Sequence, residues 1–189
     1  MIKRLWTILF GIFMALYPFL IYLGLTKFNI RAVALFVLFF VTARIGISSG
    51  FSFKKIKPFL PLLISGISLS FFSLIFKNEE ALLLLPVFTS LVFFATFGLT
   101  LIKGVPMIER FAALKEKKMT LEIKRYCFNV TVIWTLFFAI NAIVAFYTVF
   151  YTSKEYWMLY NGLISYILIG TIFAVEYIVR RIIKVKSRL

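Results

Sequence analysis

The chain has 189 residues, of which 62% are hydrophobic, and it contains 24 Phe. Its 22 Lys and Arg residues outnumber 7 acidic residues and give a formal net charge of +15. A soluble domain of this length does not carry so much apolar side-chain surface, so the composition excludes an ordinary globular protein and predicts a membrane protein.

The sequence lacks several kinds of chemical group. It has no His and no Asp, and Cys127 is its one cysteine. Zinc or haem sites built from His, His-based catalytic triads, internal disulfides and cysteine metal clusters are therefore excluded, and no Gly-rich phosphate loop is present. We predict no metal or cofactor. An enzyme would need an unusual site built from Ser, Tyr, Glu176 or Arg, so the sequence favours a protein without catalytic activity.

Six apolar runs follow one another along the chain, and each approaches or exceeds the roughly 20 residues that cross a hydrocarbon core. They cover about residues 5–25, 30–47, 58–76, 81–102, 121–151 and 156–179. The first run is long and lacks a small-residue cleavage motif, so we interpret it as a span rather than a signal peptide. No linker or clear repeat divides the chain, so residues 1–189 are predicted to form one domain.

The longest polar connection, residues 103–125, lies between the fourth and fifth runs. Met107, Phe111 and Leu114 recur there at helical spacing among charged residues. This pattern predicts a short amphipathic helix, from Pro106 to Lys118, in the cytoplasmic interface. The predicted fold is therefore all-α: a polytopic bundle of six transmembrane helices plus this short helix.

The basic residues are distributed unevenly between the two sets of loops. Of the 22 Lys and Arg, 17 fall in the termini and in the loops after the second and fourth runs, four fall in the remaining loops, and Arg44 lies inside a run. Short loops rich in Lys and Arg stay in the cytoplasm, so both termini are predicted to be cytoplasmic. Membrane lipids, rather than nucleic acid, are the partner that this charge pattern indicates.

Two ionisable side chains lie inside the predicted spans. Arg44 is about one turn from the cytoplasmic end of the second run, and Glu176 is about one turn from the same end of the sixth. Opposite charges at equal depth predict an Arg44–Glu176 pair, which is a candidate for substrate handling. In the alternative, Arg44 extends to the headgroups and Glu176 pairs with Arg180, four residues on, in a structural role.

Polar and small residues also form stripes on the last two runs. Trp134, Phe138, Asn141 and Ala145 share one face of the fifth run, and Asn161, Ser165, Ile172 and Glu176 share one face of the sixth. We expect the two stripes to meet inside the bundle, where Asn141 and Asn161 are candidate functional groups or simply hydrogen-bond between helices. Gly170 and Ala174 form a small-xxx-small pair that is typical of close helix packing.

Five segments carry a resemblance to known proteins: residues 17–25 (YPFLIYLGL), 106–112 (PMIERFA), 132–141 (VIWTLFFAIN), 160–170 (YNGLISYILIG) and 176–181 (EYIVRR). In these segments the chain resembles a family of uncharacterised small bacterial inner-membrane proteins. The most specific are the ERF segment, with Glu109 and Arg110, and the ending with Glu176 and Arg180. The resemblance implies a location in the bacterial inner membrane and a genomic neighbourhood of aryl-polyene or fatty-acyl biosynthesis genes. It implies no known reaction.

Two functions follow as hypotheses. The first is an accessory protein of acyl-lipid or aryl-polyene assembly that docks acyl carrier protein or soluble lipid-synthesis enzymes, because a basic cytoplasmic face attracts acidic proteins. The second is a small lipid or solute transporter or flippase that uses Arg44, Glu176 and Asn141. Against the first, the positive-inside pattern alone would give a basic cytoplasmic face. Against the second, the chain is short and shows no inverted repeat.

Overall fold

A computed structural model of the chain describes residues 16–49, 60–114 and 119–186. All regular structure in these ranges is helical, which confirms the all-α class. The helices are α1 (residues 16–27), α2 (Ile30–Ser49), α3 (Leu60–Phe76), α4 (Glu80–Leu83), α5 (Leu85–Ile102), α6 (Met107–Ala113), α7 (Leu121–Tyr151), α8 (Lys154–Leu159) and α9 (Ser165–Lys186), with a π-helical turn, Tyr160–Ile164, between α8 and α9.

Three described segments are long and apolar enough to cross a membrane: Glu80–Ile102, Leu121–Tyr151 and Lys154–Ile182. The 31 residues of α7 extend about 46 Å, which exceeds the roughly 30 Å hydrocarbon core. In the last segment only 11% of the apolar window is buried, so most of its side chains face outward, as expected in lipid. These helices indicate a membrane protein. The six-span arrangement stays a prediction, and residues 5–15 of the first predicted span lie outside the described ranges.

Local sequence explains where the helices begin and break. Asn29 precedes α2, and its Oδ1 accepts a hydrogen bond from the backbone N–H of Ala32 at 2.9 Å. In the same way, Thr120 Oγ1 accepts a hydrogen bond from the backbone N–H of Ile123 and caps α7. The break between α4 and α5 comes two residues before Pro86, which has no backbone N–H to donate to the preceding turn.

The bundle has two chemically different ends. One, called here the basic end, consists of the last turn of α5, α6, the first turns of α7 and the last turns of α9; a hydrogen bond from Tyr126 to Glu176 joins α7 to α9 there. The other, called the opposite end, holds the α1–α2, α3–α4 and α7–α8 turns. An ion pair between Glu79 and Lys154 joins two of these turns. Consecutive long helices therefore run antiparallel.

Two apolar clusters form the core. The first, towards the opposite end, joins α1, α2, the α4 segment, α7 and α8 around Trp157, which is 1% exposed. The second, towards the basic end, centres on Phe97, Val130 and Trp134. Met107 and Ile108 of α6 pack against the second cluster. The rings of Trp134 and Phe173 lie 4.7 Å apart and connect α7 to α9.

The first turn of α6 is attached to the bundle by two buried threonines. The N–H of Met107 donates to Thr100 Oγ1 of α5 at 3.1 Å, and the N–H of Ile108 donates to Thr131 Oγ1 of α7 at 3.3 Å. These hydroxyls satisfy two of the backbone donors that a helix leaves free at its N-terminus.

The predicted amphipathic helix is present but shorter than expected. The predicted range ended at Lys118, whereas α6 ends at Ala113, and residues 115–118 lie outside the described ranges. Its apolar residues divide between two environments: Met107 packs on the core, while Phe111 and Leu114 are exposed. The helix therefore combines an anchored start with an apolar surface directed away from the bundle.

Candidate functional site

Glu176 lies in a hydrogen-bonded cluster at the basic end. The hydroxyl of Tyr126 is 3.2 Å from Glu176 Oε1 and 3.0 Å from the Glu176 backbone oxygen. The Glu176 side chain is 15% exposed, so its carboxylate is largely removed from water and gains from this donor. The sequence did not single out Tyr126, because a tyrosine near the start of a helix is common and the sequence does not show that its hydroxyl reaches Glu176.

Glu176 also forms an ion pair with Arg180. Arg180 Nε lies 3.5 Å from Glu176 Oε1, and the pair has the i, i+4 spacing of neighbouring residues on one helix face. The alternative partner considered in the sequence analysis is therefore present. Arg44 belongs to α2, but its side chain lies outside the described part of the structure, so the Arg44–Glu176 pair stays a prediction.

Glu109 and Arg110 lie on α6, close to the same end. Arg110 is exposed, and its Nε donates to the backbone oxygen of Val105 at 2.8 Å, which closes the turn that leads into α6. Gly104 in that turn has φ +98°, a conformation that residues with a side chain rarely adopt. Glu109 is half-buried in the first turn of α6, where the helix dipole favours an acid.

Asn141 makes hydrogen bonds to two other helical segments inside the bundle. Its Nδ2 donates to Ser90 Oγ of α5 at 2.9 Å, and its Oδ1 accepts from the Tyr160 hydroxyl of the π-helical turn at 3.1 Å. Both atoms of the amide are therefore used, as the low-dielectric interior requires. Asn141 joins α5, α7 and the π-helical turn.

Asn161 lies next in the chain to Tyr160 and is only 4% exposed. Its Nδ2 donates to the Trp157 backbone oxygen at 2.9 Å and to Thr148 Oγ1 at 3.2 Å. A backbone oxygen can only accept, so this contact orients the amide. Asn161 Oδ1 is then left buried with no hydrogen-bond partner in the described part of the chain. An orphaned buried acceptor is uncommon and costs about 1–3 kcal/mol.

The π-helical turn that holds Asn161 coincides with close packing of helices. A Cβ atom built on Gly162 would lie 2.8 Å from the ring of Phe19 on α1, closer than real contacts allow. A larger residue at this position would require the Phe19 ring to shift. π-helical turns within α-helices are frequent at functional sites.

The two polar stripes predicted from the sequence are both directed towards the bundle. On α7, Trp134, Asn141 and Ala145 are at most 9% exposed, and on the last segment Asn161 and Ser165 are at most 7% exposed. However, Glu176 follows Asn161 by 15 residues, or about 22 Å of helix. The candidate residues therefore form two separate groups: a charged one at the basic end and an uncharged one in the interior.

Gly170 and Ala174 lie on a different face from these stripes. Both are exposed, and a Cβ atom on Gly170 would meet nothing within 4 Å among its surroundings. The pair therefore does not mediate close packing within the described part of the bundle, contrary to the interpretation from spacing.

The interior group can form hydrogen bonds but has little capacity for acid–base or metal chemistry. Its members are Ser90, Asn141, Thr148, Tyr160, Asn161 and Ser165. Within the described residues, no three His, Cys, Asp or Glu side chains lie where they could hold a metal ion. The sequence did not single out Ser90 or Tyr160, because serine is common in membrane spans and Tyr160 lies near the edge of a predicted span. A search for hydroxyl side chains that could hydrogen-bond to each buried Asn would have suggested both residues.

No protein-family model matches the chain, and no curated protein or solved structure does so either.

Proposed function

We propose that this chain is a six-span protein of the bacterial cytoplasmic membrane, with both termini in the cytoplasm, and that it is an accessory protein of acyl-lipid or aryl-polyene type biosynthesis. Its basic end docks acyl carrier protein or the soluble enzymes that use it, or handles their product at the membrane. The observation that supports this proposal is the unequal charge at the two ends of the bundle.

The basic end has an excess of positive charge on its surface. Six described residues there are exposed Lys or Arg side chains: Lys103, Arg110, Lys124, Arg125, Arg180 and Arg181. The described acids at this end are Glu109, Glu122 and Glu176, and Glu176 is already engaged by Arg180 and Tyr126. At the opposite end the described charges nearly balance, with four cations, Lys27, Arg31, Lys77 and Lys154, and three acids, Glu79, Glu80 and Glu155.

The basic end also has a defined shape. The threonine contacts hold α6 against α5 and α7, and the Arg110–Val105 hydrogen bond closes the turn that leads into α6. A preorganised basic surface steers an acidic protein into one orientation and loses less entropy on binding than a mobile loop. Acyl carrier proteins are commonly acidic, so they suit this surface.

Binding of an acidic acyl carrier protein to the full chain in nanodiscs of net-neutral lipid tests the docking proposal. At low salt, the double variant Lys124→Glu/Arg125→Glu should bind about tenfold more weakly or worse, because two attractive charges become repulsive. The matched control, Lys27→Glu/Arg31→Glu, changes the same number of charges at the opposite end and should bind as the wild type does. Equal loss in both variants, or no binding by the wild type, would contradict docking at the basic end.

Lipid analysis of a strain that lacks the protein tests the biosynthetic part of the proposal. Loss of one acylated product, restored by the wild-type gene, is the expected result. An unchanged lipid profile under conditions in which the protein is made would contradict it.

A second candidate function, transport or flipping of a small lipid or solute, is supported by the interior polar group. The orphaned Asn161 Oδ1 offers an acceptor to a ligand with an O–H or N–H donor at membrane depth. One substitution distinguishes the two proposed functions. Asn161→Leu should abolish transport while leaving binding of the acyl carrier protein unchanged, because Asn161 lies far from the basic end.

A further inference from the structure

The opposite end of the bundle contains an open cavity of about 440 Å³ between the α3–α4 turn and the α7–α8 turn. Its volume falls within the roughly 300–1,000 Å³ range of small-molecule sites. The lining combines apolar and charged side chains. It includes Phe76, Lys77, Glu79, Glu80, Val149 and Lys154.

Two of the four charged groups are engaged with each other. Lys154 Nζ pairs with Glu79 Oε2, and this contact holds the two turns on either side of the cavity together. Within the described ranges, Lys77 and Glu80 form no ion pair. The cavity therefore presents one available cation and one available anion.

The backbone between these two charges is well defined. Asn78 Oδ1 accepts hydrogen bonds from the N–H groups of Glu80 at 2.7 Å and Ala81 at 3.3 Å. This side chain orders the turn between Lys77 and Glu80, both of which line the cavity. A dipolar ligand with an anionic and a cationic group suits such an arrangement better than a simple anion or cation does.

Lys77 has an unusual backbone conformation. Its φ is +49°, and it is the one non-glycine residue with positive φ in the described part of the chain. Glycine or asparagine is the usual residue after a helix that ends in this conformation. A lysine here adds a side chain and a charge at the cavity despite the backbone strain.

An apolar surface adjoins the cavity on the outside of the bundle. Phe72, Ile75 and Phe76, at the end of α3, are between 46% and 64% exposed. The segment Glu80–Ile102, which is apolar enough to cross a membrane, begins at the cavity rim. A membrane span that begins there would place the charged rim at the level of the lipid headgroups and would direct the exposed face of α3 from it towards the acyl chains.

We propose that this cavity binds the headgroup of a zwitterionic phospholipid. The phosphate lies by Lys77, the primary ammonium lies by Glu80, and the acyl chains follow the exposed face of α3. Val149 and Phe76 provide the apolar surface beneath the headgroup. This site is distinct from the basic end and goes beyond the proposed function, which can fail without affecting it.

Thermal unfolding of the delipidated full chain in detergent tests the site, because a ligand that binds the folded protein raises the midpoint. Phosphatidylethanolamine should raise the midpoint of the wild type. Lys77→Gln and Glu80→Gln should each lose at least half of that rise. The matched controls Lys27→Gln and Glu155→Gln lie at the same end but outside the cavity lining, and they should retain it.

The variant Lys77→Gly separates loss of the lipid site from loss of folding. It removes the cation while supplying the residue that tolerates a positive φ, so it should fold at least as well as the wild type yet lose the lipid effect. Retention of the full rise in Lys77→Gly, Lys77→Gln and Glu80→Gln would overturn the site. An equal rise with phosphatidylglycerol would overturn the zwitterion assignment, and an equal rise with soluble glycerophosphoethanolamine would overturn the lipid assignment.

Discussion

At the scale of single residues, hydrogen bonds from tyrosine, threonine and asparagine side chains connect the helices of this protein. Tyr126 reaches Glu176, Tyr160 reaches Asn141, and Tyr17 donates to the backbone oxygen of Leu82 at 2.6 Å. Where water is scarce, each such bond satisfies groups that would otherwise be costly to bury. Contacts of this kind contribute about 0.6–2 kcal/mol each and give the packing its specificity.

The two partners of Glu176 should contribute unequally to stability. A double-mutant cycle with Tyr126→Phe and Glu176→Gln should give a coupling of about 1 kcal/mol, because the half-buried Tyr126 hydroxyl loses the charge of its acceptor. The corresponding cycle with Arg180→Gln should give about 0.5 kcal/mol or less, because Arg180 is 47% exposed and its ion pair is screened by solvent. Free energies of unfolding in mixed micelles provide the measurement.

The same experiment tests the predicted partner from α2. A cycle with Arg44→Gln and Glu176→Gln should show coupling if the two side chains meet. Coupling with Arg44 above that with Tyr126 would make the Arg44–Glu176 pair the principal interaction, and coupling with Arg180 above that with Tyr126 would contradict the arrangement described here.

At the scale of helices, the apolar runs in the sequence correspond closely to the helices that the structure describes. The run at residues 81–102 matches the segment Glu80–Ile102, and the run at 121–151 matches α7. Run length and hydrophobicity determine such boundaries directly, because a helix that crosses lipid must be apolar throughout.

Other features of the helices were not predictable from spacing. The π-helical turn lies where Gly162 packs against Phe19, and these two residues are far apart in the chain. The small pair Gly170–Ala174 has the usual spacing for helix packing yet faces outward. Which face of a uniformly apolar helix meets a neighbour depends on tertiary contacts, since lipid and protein interior are equally apolar.

Substitution by alanine should therefore have opposite effects on stability at Gly162 and at Gly170. Gly162→Ala places a methyl group against the Phe19 ring and should destabilise the protein by about 1–3 kcal/mol. Gly170→Ala, in open space on α9, should be neutral or stabilise by up to about 1 kcal/mol through helix propensity. Thermal unfolding of both variants, with Phe19→Leu as a second-site rescue of Gly162→Ala, is the measurement. A tolerated Gly162→Ala would mean that the Phe19 ring does not pack tightly against Gly162 or moves aside at little cost.

At the scale of the whole molecule, the protein is a helical bundle with an apolar circumference and two chemically different ends. Its outward-facing side chains include Ile133, Leu136 and Ile143, which are between 51% and 69% exposed and suit lipid rather than water. We propose that the bundle spans the membrane, with its basic end in the cytoplasm and the charge-balanced opposite end on the other side.

Labelling of single cysteines with a membrane-impermeant maleimide tests this claim most directly. In a Cys127→Ser background, Glu80→Cys marks the opposite end and Lys124→Cys marks the basic end, and both positions are exposed. Glu80→Cys should react in intact cells from which the outer membrane has been removed, and Lys124→Cys should react only after the inner membrane is permeabilised. The reverse pattern would contradict the orientation, and labelling of both positions in intact cells would contradict a bundle that places its two ends on opposite sides of the membrane.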